Sequence, residues 1–121
     1  MKSFIIQKAL ATAKNSEMER GKVGAVLFTN SGNILAFANN VYFDGSDIKR
    51  SVHAEEFVLS KAIKIRAFAR YNNLNLLVVR YKISNDKLAM AKPCKNCQKL
   101  IERFPELTVY YSNEQGKIVK Y

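Results

Sequence analysis

Ile6, Ala9, Leu10 and Ala13 recur at i, i+3, i+4 and i+7. One apolar stripe of this kind predicts a helix over residues 3–17, with Lys8, Lys14 and Glu17 outside it. The period then changes. Residues 23–29 and 34–39 are apolar runs of strand length, separated by the turn residues Asn30, Ser31, Gly32 and Asn33, and together they predict an antiparallel hairpin. Residues 41–50 carry the turn pair Asp44-Gly45 and read as a loop. Ser51 is placed to cap a helix over about 52–68, in which Glu55, Val58, Leu59, Ala62 and Ile63 share a face. Residues 74–81 form a third strand, apolar on both faces, which after a helix crossover is expected to lie parallel to an earlier strand. A polar loop, 82–92, follows. Cys97, Leu100, Ile101 and Phe104 mark a helix that ends at Pro105. A fourth strand covers 107–111, and the turn at 112–116 leads to a short fifth strand at 117–121. So short a turn joins only antiparallel neighbours.

These elements alternate within 121 residues, which suits one domain spanning 1–121 with a core of its own. No segment is long and apolar enough to cross a membrane, and the N-terminal apolar run is too short for a signal peptide, so a cytoplasmic protein is expected. Charge adds one feature. The net charge is +10, and no acidic residue falls between Glu56 and Asp86. Such an excess attracts phosphorylated substrates or polyanions, or serves only as a solvated basic face.

The chemistry is concentrated in two short stretches. The single histidine, His53, and the only two cysteines, Cys94 and Cys97, form a three-ligand set for Zn2+ that leaves a fourth position open, as catalytic sites do. Committing both cysteines to metal leaves none for a disulfide and fits a reducing compartment. Cys94 and Cys97 lie at i and i+3, behind Pro93, which suits a helix start. His53 and Glu55 are two residues apart. They converge only on an atom held just beyond a helix N-terminus, so both are placed in a first turn. Two helix N-termini are therefore expected to face one metal, where their positive ends stabilise thiolates.

His53-Ala54-Glu55 and Pro93-Cys94-Lys95-Asn96-Cys97 together match the H-x-E…P-C-x-x-C signature of zinc nucleobase deaminases. The chain thus resembles the cytidine/deoxycytidylate deaminase superfamily from about Val23 to Tyr111. The resemblance implies a three-layer α-β-α fold, with a mixed five-stranded sheet and helices on both faces. It implies hydrolytic deamination of the cytosine of a free nucleoside or nucleotide, Zn2+ as cofactor, a small-molecule partner and a homo-oligomer. It also implies roles for single residues. Glu55 would be the catalytic proton carrier, and the main-chain N–H of Ala54 would meet the ring carbonyl.

Val23-Gly24-Ala25-Val26 and Asn40 match positions often found in the family, where the asparagine bonds sugar or base; Asn40 would otherwise be a strand-end turn residue. Tyr42 and Phe43 would stack on a base or pack on the sheet. Arg50, Lys92 and Lys95 flank the metal motifs and are candidates for phosphate contact. Tyr110 is either near the pocket mouth or an inward strand residue. An antiparallel last strand resembles the free-nucleoside enzymes. His-Ala-Glu is commoner among nucleotide and nucleic-acid deaminases. Editing of cytosine or adenine in single-stranded DNA or RNA is the second reading, supported by the +10 charge. A non-catalytic basic zinc domain is the third, and Glu55 argues against it.

Overall fold

The computed structural model describes residues 1–19, 21–43 and 50–121, with only the backbone at Tyr42, Phe43, Arg50 and Ser51. The helices are α1 (Ser3–Lys14), α2 (Ala54–Lys64), α3 (Ala67–Arg70) and α4 (Lys95–Ile101). The strands are β1 (Lys22–Thr29), β2 (Ile34–Asn39), β3 (Val41–Phe43), β4 (Arg50–Val52), β5 (Leu74–Lys82), β6 (Lys87–Ala89), β7 (Leu107–Ser112) and β8 (Ile118–Lys120).

The strands of the main sheet lie in the order β2-β1-β5-β7-β8, with β6 paired to β5. Period-two alternation divides the core. Ala25, Leu27, Leu76 and Val78 face α2, α3 and α4, while Val26, Phe28, Leu77 and Val79 face α1. The result is the expected three-layer arrangement with helices on both faces. The α1 stripe is rotated from its predicted setting: Ile5, Ala9, Thr12 and Ala13 are buried, whereas Ile6 and Leu10 are half-buried. Gly24 allows α1 to approach β1 closely. A Cβ there would stand 2.4 Å from the Ala9 carbonyl oxygen and 2.6 Å from the Ala13 nitrogen.

Four expectations change. The sheet has six strands rather than five, because part of the predicted polar loop 82–92 forms β6. Asp86, at φ 52°, helps close this hairpin, and Tyr81 donates to its carboxylate at 2.6 Å. The third predicted strand, β5, is hydrogen-bonded antiparallel to β1 and parallel to β7. Its parallel direction is shared with β2, one strand further away, because both run against β1. The predicted helix over 52–68 breaks at Arg66, which takes a left-handed φ of 56° and separates α2 from α3. The predicted loop at 41–50 is, at its base, the antiparallel ribbon β3–β4, in which Val41 pairs with Val52. Residues 44–49 lie outside the described residues.

Candidate active site

The Val41–Val52 pair closes the ribbon base, placing Asn40 just before one strand and His53 just after the other. His53 is the N-cap of α2, and its extended backbone (φ −71°, ψ 146°) carries the imidazole over the helix mouth. Cys94 is the N-cap of α4, again extended (φ −67°, ψ 170°), and Cys97 lies one turn further on, 1% exposed. Both helices therefore open toward one point, as the spacing predicts. His53 is the cap itself rather than a member of the first turn.

The His53 Nδ1 atom lies 3.2 Å from Cys97 Sγ and 3.7 Å from Cys94 Sγ. The three donor atoms all fall within 4.8 Å of one another. Tetrahedral zinc with ordinary Zn–N and Zn–S bonds separates such donors by about 3.6 Å. The donor set fits the metal in kind and in spacing.

Glu55 is the second residue of α2 and is 5% exposed. Burial raises its carboxyl pKa above the usual range, opposed by its own main-chain N–H, Cys97 and His53. Burial also pushes the Cys97 thiol strongly upward, and the Glu55 carboxylate adds to that shift. Both shifts come from crowding acceptors in a dry place. A divalent cation at their common point would offset them.

His53, Glu55 and Cys94 line a cleft that has the buried Glu55 at its inner end and a volume of about 210 Å³. That is below the roughly 300–1,000 Å³ of sites that take drug-sized ligands, and it suits a single ring with its substituent left outside. Ala54, fully buried, is the first residue of α2 and lines the cleft. Its main-chain N–H belongs to the first turn, where no intrahelical partner exists.

Asn40 also lines the cleft, but much of its carboxamide is already engaged. Oδ1 accepts from the Val23 N–H at 2.9 Å and stands 2.7 Å from the Ser16 hydroxyl, while Nδ2 donates to the Gly21 carbonyl at 2.7 Å. One amide hydrogen remains for a ligand. Lys92 lines the cleft, whereas Lys95 is exposed at the start of α4 and does not. Tyr110 packs with the core on the α1 side, the face opposite α2 and α4. The side chains of Tyr42, Phe43 and Arg50 lie outside the described residues.

Sequence reasoning missed Arg80 and Met90, both exposed and both lining the cleft. It also missed Ser112, which is fully buried. The Ser112 hydroxyl donates to the Ala89 carbonyl at 2.6 Å and accepts from the Arg80 N–H at 3.2 Å, while its carbonyl accepts from the Ala91 N–H at 2.8 Å. This ties the segment that delivers Cys94 to β5 and β7. Arg80 had a faint signal, as the first charge in an otherwise apolar strand. Ser112 had none.

The family model for the cytidine and deoxycytidylate deaminase zinc-binding region matches residues 1–113. The chain belongs to that family. Its cofactor is Zn2+, which His53, Cys94 and Cys97 would hold. This deaminase-family chain is 30% identical over 106 residues to Cytidine deaminase 7 of Arabidopsis thaliana. The match takes in 87% of the chain but 32% of the relative, so the chain spans about a third of that protein's length. It superposes on a cytidine deaminase from Burkholderia pseudomallei with a TM-score of 0.70, covering 100% of this chain and 91% of that one at 23% identity. That likeness establishes the fold. The dCMP deaminase of cyanophage S-TIM5 in its apo form is 27% identical, with a TM-score of 0.57 over 94% of this chain and 86% of that one. The phage enzyme is also known in complex with dCMP and dUMP. Among the described residues, no helix is long and apolar enough to cross a membrane.

Proposed function

We propose that this chain is a zinc hydrolase that deaminates the cytosine ring of a free nucleoside or nucleotide. The observation that carries this reading is the buried Glu55 carboxylate beside the His53/Cys94/Cys97 donor cluster, at the inner end of a cleft sized for one ring. A structural zinc site has no use for that carboxylate. The antiparallel pairing of β7 with β8 supports a small substrate, because it resembles the free-nucleoside enzymes. The dCMP and dUMP complex of the phage relative supports it as well.

Zinc, when bound, supplies a Lewis-acidic centre that lowers the pKa of water toward neutrality. His53, Cys94 and Cys97 would hold it. Glu55 takes a proton from the attacking water, whose oxygen bonds to C4 of the ring. The same carboxyl delivers that proton to the ring nitrogen, and a second proton moves through it to the departing amine. The C4–N4 bond breaks, and the products are the uracil compound and ammonia. The raised pKa of Glu55 suits a group that must hold and release a proton in turn. In this reading the Ala54 N–H donates to the ring carbonyl, and the remaining Asn40 amide hydrogen to the sugar.

The test is uracil formation from cytidine, deoxycytidine, CMP, dCMP and a single-stranded cytosine oligonucleotide, with zinc-loaded wild type and Glu55→Gln. A nucleoside or nucleotide should be deaminated by wild type, and Glu55→Gln should lose about 100-fold or more in kcat while keeping its zinc. A near-wild-type rate for Glu55→Gln would sink the mechanism. Turnover of the oligonucleotide alone would replace the substrate reading with editing of single strands.

A further inference from the structure

We infer that the cleft selects a 5′-monophosphate over the free nucleoside, and that Arg80, assisted by Lys92, is the residue that does so. The inference rests on the deaminase reading of the same cleft and narrows its substrate class.

The cleft is graded along its depth. Its inner end holds Ala54 and Glu55, 0% and 5% exposed, together with His53. Its mouth holds Arg80, Met90 and Lys92, all exposed. A cytosine nucleotide is graded in the same sense, with a flat neutral base at one end and a dianion at the other. The base must go inward, because the reacting carbon has to reach Glu55 and the donor cluster. The substituent on the sugar then emerges at the mouth, where both ionisable side chains are cations.

Arg80 is available for that role. Its main chain is fixed by the N–H bond to Ser112 Oγ and by the β5 pairing with Val23 on one side and Ala89 on the other. Its guanidinium lies over Gly21, where a Cβ would stand 3.1 Å from Nη2. Among the described residues no carboxylate lies within ion-pairing distance of it. Gly21 (φ +62°) therefore leaves room for the fork, and Asn40 holds the Gly21 carbonyl from the other side. Lys92 lies 6.0 Å from the Tyr121 ring centre, a weak contact that leaves its ammonium free to meet an anion. A guanidinium offers paired donors that match phosphate oxygens, and a lysine adds a point charge. Glu19 lines a second hollow together with Gly21 and Arg80 and, among the described residues, is the one acidic group lining it.

The test compares kcat/KM for dCMP against deoxycytidine, and CMP against cytidine, in zinc-loaded wild type, Arg80→Gln, Arg80→Lys and Lys92→Gln. The monophosphate should be preferred by wild type. Arg80→Gln should lower the preference ratio about 10- to 100-fold, the range for losing a charge-assisted pair of hydrogen bonds. Arg80→Lys should retain part of it, and Lys92→Gln should reduce it less. A merely structural role for Arg80 would lower both substrates alike and leave the ratio unchanged, which would overturn the inference. So would a wild type that handles nucleoside and monophosphate equally.

Calorimetric binding of the products dUMP and deoxyuridine separates this inference from the reading beneath it. If nothing is deaminated but dUMP binds at least 10-fold tighter, and Arg80→Gln abolishes the difference, the phosphate subsite stands and the deaminase reading falls. If neither product binds, the subsite falls too. Competition by a single-stranded oligonucleotide at lower concentration than dUMP would assign Arg80 to a polynucleotide backbone and overturn the monophosphate.

Discussion

Replacing Gly24 by alanine tests whether the α1 layer is seated as described. In general, alanine is better than glycine in a strand by roughly 0.5–1 kcal/mol, because it loses less conformational entropy. The structure reverses that sign. The new Cβ would sit 2.4 Å from the Ala9 carbonyl oxygen and 2.6 Å from the Ala13 nitrogen, whereas ordinary contact begins at 3.4 Å. Both neighbours are helix backbone and cannot swing aside. Strand β1 cannot retreat either, since Gly24 is paired to Asn39 on one side and Val79 on the other. Helix α1 must therefore lift by about 1 Å, opening its contact with Val26, Phe28, Leu77 and Val79. A gap of roughly 0.5–1 Å forfeits a quarter to a half of the dispersion attraction across it. With the usual cost of overpacking, the expected loss is about 2–4 kcal/mol. For a chain of this size that is a fall in Tm of about 8–16 °C. Urea unfolding should show a lower midpoint with an unchanged slope. Gly24 does not have a positive φ, so strain there cannot mimic the effect. A Gly24→Ala protein as stable as wild type, or more stable, would refute the close approach of α1.

Three other predictions concern the metal and the segment that carries it. Cys94→Ser should reduce bound zinc from near one per chain to below about 0.1 by metal analysis, because two donors remain where three are needed. In wild type, a chelator should expose two reactive thiols to a thiol reagent, and thiols equally reactive before chelation would count against the site. Ser112→Ala should destabilise by about 1–3 kcal/mol in urea unfolding, since the part-buried Ala89 carbonyl and the Arg80 N–H each lose the partner that the buried hydroxyl gave them. A change within 0.5 kcal/mol would mean that water replaces the hydroxyl.

The elements with strong periodicity were legible in the sequence. The hairpin β1–β2, the cysteine helix and the antiparallel β8 follow from apolar spacing and turn residues alone. The metal donors were legible because a chain with one histidine and two cysteines offers a single way to assemble them. What was not legible depends on pairing partners that no local pattern names. Strand β5 reads as a buried strand, but its antiparallel seat beside β1 comes from the crossover skipping one strand. The ribbon β3–β4 pairs three residues with three across a gap of six, with no alternation long enough to register. The helix break at Arg66 uses a left-handed arginine where a glycine would have signalled it. Arg80 reaches the cleft because alternation along β5 puts it on the same face as Leu76 and Val78. Asn40 was expected to meet the substrate, and it does line the cleft, yet its side-chain hydrogen bonds go to Ser16, Gly21 and Val23, within its own scaffold.

The donors His53 and Cys94 sit on helix caps, while Arg80 and Met90 sit on a strand end and the segment after β6. On the proposed reading, reactivity and choice of substrate are thus written on different pieces of backbone. The caps must keep fixed geometry for the chemistry to occur at all. The mouth can change charge or bulk without moving them. A library confined to positions 80, 90 and 92 is therefore expected to search substrate preference while leaving the reaction intact.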